Sequence, residues 1–393
     1  MTIPITGQPP VPSLSEPDTF NTKALNLFTW QTGSMIDQFN NVDPNDFFDI
    51  PALTAAAAQS QTKNAIINGA FDVWQRGDGP FTGSGTYSIY GADRWLNNAK
   101  NGTVTQSRQA FPFGTKLGQN TPRFFLRQST TGHTLGSDFS LVAQRIEGVR
   151  SFAGETVTVL GWARRASGSG NVTAEIAQNF GTGGSPSGDA FAPPIKLSLT
   201  GSLEPFAATI TIPSVSGKSI GTNGDDYLAL NFFTSSGYAY NARTYYLGIQ
   251  TIDVDLWGIH ILQGTHGVEA CDNYVAPRVV DELPRCQRYC YSLVPKGTPI
   301  YSRIGVVFSS GTAVSHMPVS LPQVMRKTPS LLYGGLFNLY MPGSATVDFS
   351  DFSLTLFNEN GGLLQTDQVL SPTEFRQLKA NGSDCYLIFD AEL

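Results

Sequence analysis

The stretch TVTVLGWARR, Thr156 to Arg165, alternates with period two. Val157, Val159 and Gly161 fall on one face of an extended chain, and Thr156, Thr158, Leu160 and Trp162 fall on the other. The same rhythm runs through SLVAQRIEG, NVTAEIAQNF, AATITIP, YLALNFF, TYYLGIQTI and DVDLWGIHIL, each bounded by Gly, Ser, Asn, Asp or Pro turns. Short strands at this spacing predict a β-sandwich. The Gly-rich connections RRASGSGN and GTGGSPSGDAFAPP read as exposed loops at the rims of its sheets, where binding sites concentrate.

Composition points the same way. In 393 residues there are 40 Gly and 24 Pro, with 14% charged and 11% aromatic side chains. Surface helices carry more Lys and Glu than this, so the chain reads as mainly β. A net charge of −6 and the lack of any Lys/Arg cluster leave no positive field for a polyanion, which argues against nucleic acid as a partner. No apolar run of about 18 residues occurs, so no membrane insertion is expected. The opening MTIPITGQPPVPSLSEPDTF lacks a basic region followed by an apolar one, which predicts a protein made in the cytosol and released by a route other than a signal peptide. Cys271, Cys286, Cys290 and Cys385 are too sparse and irregular for a disulfide framework. Cys286 and Cys290 lack the second Cys/His pair that tetrahedral zinc requires.

The chain divides by pattern into three parts. Residues 1–62 are expected to form an extended Pro-rich arm and a short helix, in which Phe20, Leu27, Phe28, Met35 and Phe39 recur at helical spacing. A single apolar stripe must be buried, either on copies of itself, as in a trimeric stalk, or on the β-domain. Residues 63–280 carry the sandwich, a jelly roll. After the segment VEACDNYVAPRVVDELPRCQRYCYSL, with an acidic turn and a helix-like LPRCQRYC, residues 281–393 hold enough strands for a second, smaller β-domain. No period of 20 to 50 residues marks a solenoid or propeller.

Chemistry-bearing residues concentrate at the start of the sandwich, in NAIINGAFDVWQRGDG (Asn64 to Gly79) and YGADRW (Tyr90 to Trp95). Trp74, Gln75, Arg76, Asp93, Arg94 and Trp95 supply flat aromatic faces and planar hydrogen-bonding groups, as carbohydrate recognition requires. The same residues equally build a structural corner, with Asp93 holding Arg76 or Arg94, and this reading is preferred. In DVDLWGIHIL, Asp253 and Asp255 share a face; they suit Ca²⁺, a glycosidase pair, or an Arg across the sheet, for which Arg145 is a candidate. Asp225 and Asp226, in a turn with Asn223, form a second candidate Ca²⁺ loop or an ordinary solvated turn. No cofactor is expected beyond such a cation. His133, His260, His266 and His316 are scattered, with no nucleophile beside them, and no catalytic residue is assigned.

The pieces NAIINGAFDVWQRG, YGADRW, LVAQRIEGVRSFAGETVTVLGWARR, DVDLWGIHILQG and ELPRCQRYCYSL resemble those of bacteriophage tail-fibre and tail-spike-like virion proteins. The jelly-roll part of that family is similar to galactose-binding-like carbohydrate-binding modules, and PPVPSLSEPDTFNTKALNLF resembles the arm and helix by which phage adhesins attach. The resemblance spans most of residues 8 to 293. It implies a structural, receptor-facing protein of the virion, assembled in the host bacterial cytoplasm, usually homotrimeric, with other virion proteins and a host surface glycan as partners. A purely structural head, collar or tail decoration protein and a glycan depolymerase are the alternatives.

Overall fold

The computed structural model describes residues 64–393 apart from Ser169, 310–313, Pro342, 344–345 and 369–373. The arm and helix, with Phe20, Leu27, Phe28, Met35 and Phe39, lie outside the described residues. The rest is mainly β, as the alternation predicts, and residues Asn64–Leu393 form one compact unit.

In chain order the sandwich strands are β1 (Phe81–Ser84), β2 (Tyr87–Tyr90), β3 (Leu96–Lys100), β4 (Thr103–Ala110), β5 (Phe124–Thr131), β6 (Phe139–Glu147) and β7 (Thr156–Gly168). They continue as β8 (Asn171–Asn179), β9 (Ala190–Phe191), β10 (Ile195–Ser198), β11 (Glu204–Thr211), β12 (Tyr227–Ser236) and β13 (Ile252–Gln263). One antiparallel sheet has the order β1-β4-β5-β13-β7-β11, and the other β10-β8-β12-β6-β3-β2, with β9 paired to β8. Side chains of both sheets, among them Leu126, Val142, Val159, Ile176, Phe232 and Val254, share one core.

Strand β7 is buried on both faces over Val157–Ala163, which explains why its apolar residues do not keep to one side. The turn Val268–Asn273 packs on it, and Trp162 meets Trp257 of β13 and Tyr274, just past that turn, at ring-centroid distances of 5.1 and 6.3 Å, while the segment that precedes β1 bonds the neighbouring β13 at Ile259 and Ile261. Two glycines permit this layering. A Cβ on Gly69 would stand 1.9 Å from the carbonyl oxygen of Ile259, and Gly258, at φ +64°, faces the Trp162 ring where β13 bulges.

Two expectations are corrected here. TYYLGIQTI is not a strand: it holds the end of a one-turn helix, α1 (Asn241–Thr244), then Tyr245 and Tyr246 at φ +50° and +57°, and only Ile252 joins β13. RRASGSGN is not wholly a loop, because β7 runs on to Gly168 and pairs with β13 along the way.

Beyond the sandwich, α2 (Val279–Gln287) takes up Asp281 and Glu282 in its first turn, in place of the expected acidic turn. Glu282 accepts the backbone N–H of Asn68 at 2.8 Å, fixing this helix to the start of the sandwich. The distal strands are β14 (Cys290–Val294), β15 (Arg303–Ser309), β16 (Ser315–Ser320), β17 (Ser330–Gly334), β18 (Phe337–Tyr340), β19 (Val347–Phe349), β20 (Ser353–Asn358), β21 (Gly361–Thr366), β22 (Phe375–Ala380) and β23 (Tyr386–Asp390). They make a sheet β14-β23-β17 and a sheet β19-β18-β22-β15-β16-β21-β20 around a second core that includes Phe337, Leu339, Leu378 and Phe389.

Candidate functional site

The aromatic and charged residues of NAIINGAFDVWQRGDG and YGADRW come together in the interior. Trp95 is fully buried and Trp74 nearly so, and their indole N–H groups donate to the carbonyls of Asn68 and Phe71 at 3.0 and 2.7 Å. Protein occupies their ring faces: Phe71 lies 5.0 Å from Trp95, and Phe81 stacks on Trp74 at 6.3 Å. Gln75 donates from its backbone and side chain to the Asp93 carboxylate at 2.8 and 2.5 Å, and from its amide to the carbonyl of Cys290 at 2.6 Å.

Arg76 and Arg94 then reach the far end of the sequence. Arg76 binds Asp390 at 2.7 Å and Glu392 at 3.4 Å, and Arg94 pairs with Glu392 while its guanidinium lies 3.5 Å over the Tyr289 ring. Burial pushes the Asp93 carboxyl up to about 6, with Arg76 and Gln75 opposing the rise. Two buried guanidinium groups, the buried carboxylates of Asp93 and Glu392 and the partly buried one of Asp390 form a clasp that joins the sandwich to the distal module.

The remaining carboxylates are also occupied. Asp255 is fully buried and accepts from Arg127 at 2.6 and 2.8 Å and from Arg164 at 2.6 Å. Those arginines stand opposite it in register on β5 and β7, so the cross-sheet partner is this pair and not Arg145, which donates to the carbonyl of Leu393. Asp253 accepts the Ser167 hydroxyl at 2.6 Å. Asp225 braces its loop through the backbone and hydroxyl of Thr182, which hold its carboxyl below the ordinary range, and Asp226 accepts the backbone N–H of Val149. Among the described residues no three His, Cys, Asp or Glu side chains gather as metal ligands would.

An open site does lie elsewhere on the sandwich. On the face of the second sheet turned away from the core, a groove with a cavity of about 190 Å³ runs over β8, β12, β6 and β3. Alternation builds it. Along β12, Leu228, Leu230 and Phe232 enter the core, which places Tyr227, Ala229, Asn231 and Phe233 on the outer face. Register sets Ala229 beside Ala177 and Arg145, and Asn231 beside Glu175 and Ala143. Small side chains thus form the floor, and Tyr227, Phe139, Tyr240 and the exposed Phe191 form the walls.

Beneath two of the lining residues, Asn231 and Arg243, lies Glu175, fully buried. Arg243, supplied by α1, grips it through two hydrogen bonds of 2.7 Å, and the Asn231 amide donates to it at 2.9 Å. The guanidinium lies 4.0 Å over the Phe191 ring, and that of Arg145 lies 4.7 Å over Tyr227. Bidentate pairing and ring stacking hold each cation in one orientation. The groove therefore presents aromatic rings beside two oriented guanidinium groups, over a charge pair neutralised below the surface, side-chain types that suit the apolar face and the hydroxyls of a sugar ring. None of these groove residues except Arg145 was a sequence candidate. The signal was a Glu at the centre of NVTAEIAQN, whose desolvation demands a partner that the strand itself cannot supply.

No family model matches the chain, and no curated protein matches it. Among solved structures it is similar to the family 11 carbohydrate-binding module from Clostridium thermocellum in complex with a β-1,3-1,4-mixed-linked tetrasaccharide, at 11% identity over 46% of this chain and 96% of that one, TM-score 0.27. It is similar to the CBM22-1–CBM22-2 tandem domain of Paenibacillus barcinonensis Xyn10C at 11% identity, 79% and 99% coverage and TM-score 0.26. For the N-terminal cellulose-binding domain of Cellulomonas fimi β-1,4-glucanase C the values are 12%, 40% and 90%, and 0.24. Likenesses this remote carry no argument about ligand.

Proposed function

We propose that this chain is a non-catalytic virion appendage that contacts a surface glycan through the outer groove of its β-sandwich. The observation that supports the glycan half is the groove itself: aromatic walls on an apolar floor, with Arg243 and Asn231 of its lining locked in place by the buried Glu175. The volume, about 190 Å³, is below the ~300–1,000 Å³ of sites that enclose a drug-sized ligand, and suits one or two rings of a longer chain. The virion half rests on the resemblance of the sequence pieces, with residues 1–62 as anchor and a trimer as the assembly.

A glycan array of bacterial surface polysaccharides, probed with the full chain and with Phe191→Ala, tests the first half. Binding by the wild type that the variant loses supports it. A protein that binds nothing and still incorporates into particles is the purely structural decoration protein instead. Release of reducing ends in proportion to protein would establish a depolymerase. For the anchor, particles assembled with a chain lacking residues 1–40 are expected to be devoid of it, and normal incorporation would refute that assignment.

A further inference from the structure

The distal module presents a second cavity, of about 520 Å³, on the outer face of its larger sheet. Strand alternation again explains its lining. Phe337 and Leu339 of β18, Phe349 of β19 and Leu378 and Ala380 of β22 enter the core. The intervening residues are turned outward: Asn338 and Tyr340 on the central strand, Asp348 on one neighbour and Lys379 on the other. Register places Asp348, Asn338 and Lys379 side by side across the three strands. Asn381, two residues beyond Lys379, extends the row, and Tyr301 closes one wall.

Four features distinguish this cup from an ordinary sheet surface. Asn338 is 5% exposed, and its side-chain oxygen has no hydrogen-bond partner, an arrangement that a ligand donor would relieve. Among the described residues neither Asp348 nor Lys379 has an ion-pair partner, although they stand on either side of Asn338. The Lys379 ammonium sits 3.3 Å from the centre of the Tyr340 ring. Tyr301 stays 59% exposed at φ +65°, a backbone conformation that large side chains adopt only against strain. Its backbone N–H is tied to the carbonyl of Ala380 at 2.7 Å, which fixes the wall against β22.

We propose that this cup is a saccharide site separate from the groove. The exposed Tyr301 ring offers a face for the apolar side of a sugar, while a carboxylate, an ammonium held over the Tyr340 ring and two amides provide the acceptors and donors that vicinal hydroxyls use. Asp348 opposes an anionic ligand and Lys379 a cationic one, so the pair together selects a neutral sugar. The volume lies within the ~300–1,000 Å³ range of small-molecule sites and admits a disaccharide. A chain with two such sites would hold a polymeric glycan by avidity even where each site is weak.

Calorimetric titration of the full chain with galactose, glucose, N-acetylglucosamine, lactose and cellobiose tests this. Four proteins are compared: wild type, a groove variant Tyr227→Ala, a cup variant Tyr301→Ala with Asp348→Ala, and the combination. Tyr301 and Asp348 are exposed, so the cup variant is expected to melt with the wild type; Lys379→Met serves as an independent second probe. The expected result is two binding components in the wild type: one that Tyr227→Ala removes, and a second that survives Tyr227→Ala, weakens at least tenfold in both the cup variant and Lys379→Met, and leaves the combination with no binding. Binding lost only through Tyr227→Ala overturns the cup and leaves the groove standing. Binding lost only through the cup variants supports the cup and removes the groove. No binding by the wild type overturns both.

Discussion

The guanidinium of Arg76 meets the carboxylate of Asp390 at 2.7 Å across a sequence separation of 314 residues. Beside it Arg94 meets Glu392, also buried, so the first polar cluster of the sandwich and the end of β23 form one electrostatic unit. Such a unit is costly to assemble, since each ion is taken out of water, and still more costly to break, since a lone partner is left buried. Glu392→Gln is expected to lower unfolding free energy by about 3–5 kcal/mol, measured by urea denaturation. A loss below about 1 kcal/mol would show that the two modules hold together without the clasp. Replacing Arg94 and Glu392 together by Met should recover most of the loss.

Acid titration should expose Asp93. Burial raises its folded-state pKa to about 6, above the ordinary carboxyl value of 3.8, so the folded protein binds more protons than the unfolded chain between those limits. Stability contributed by this group is therefore greatest in acid and falls as pH rises from about 4 to about 6, by on the order of 2–3 kcal/mol. Carboxylates with lowered pKa, such as Glu147 paired with Arg288, act in the opposite direction, so the difference between wild type and Asp93→Asn isolates the effect. That difference should slope across the window. A flat difference would mean that Asp93 titrates like a surface carboxylate.

Trp162 is 3% exposed, enclosed by Trp257 and Tyr274. Trp162→Ala is expected to destabilise the fold by about 3–5 kcal/mol, the range for deleting a large buried ring. An unchanged melting curve would place the ring outside the core.

How much of this could be read from the residues alone follows from the range of each interaction. Strand alternation is local, so TVTVLGWARR, YLALNFF and DVDLWGIHIL declare themselves as strands. The apolar tyrosine-rich TYYLGIQTI has the same composition but not the conformation: Arg243 on the preceding helical turn pairs with Glu175, and the chain leaves that turn through two left-handed tyrosines. The corner formed by Trp74, Arg76, Asp93 and Trp95 was legible as a cluster. Its counter-ions were not, since Asp390 and Glu392 are distant in sequence and nothing local marks them as partners. The Asp255 pairing was anticipated in kind, an arginine across the sheet, while its identity required the register that brings Arg127 and Arg164 alongside. The groove was hidden for a related reason: each strand contributes one or two side chains, and only the strand order β8-β12-β6-β3 assembles them.

The charge pair beneath the groove supports a further prediction. Arg243→Ala leaves Glu175 buried with only the Asn231 amide, and should cost about 3–5 kcal/mol of stability. Glu175→Gln with Arg243→Gln keeps hydrogen bonding without charge and should restore most of it, as read by thermal melts of the three variants. Equal losses in the single and double variants would mean that packing, not charge, is what the pair provides.

The most direct test is an equilibrium titration of the full chain against whichever polysaccharide it retains on an array, repeated with Tyr227→Ala. The groove account predicts saturable binding by the wild type and a weakening of about tenfold in the variant, equivalent to ~1.4 kcal/mol for one lost stacking face. Saturable binding of equal strength by both proteins, or none by either, would contradict it.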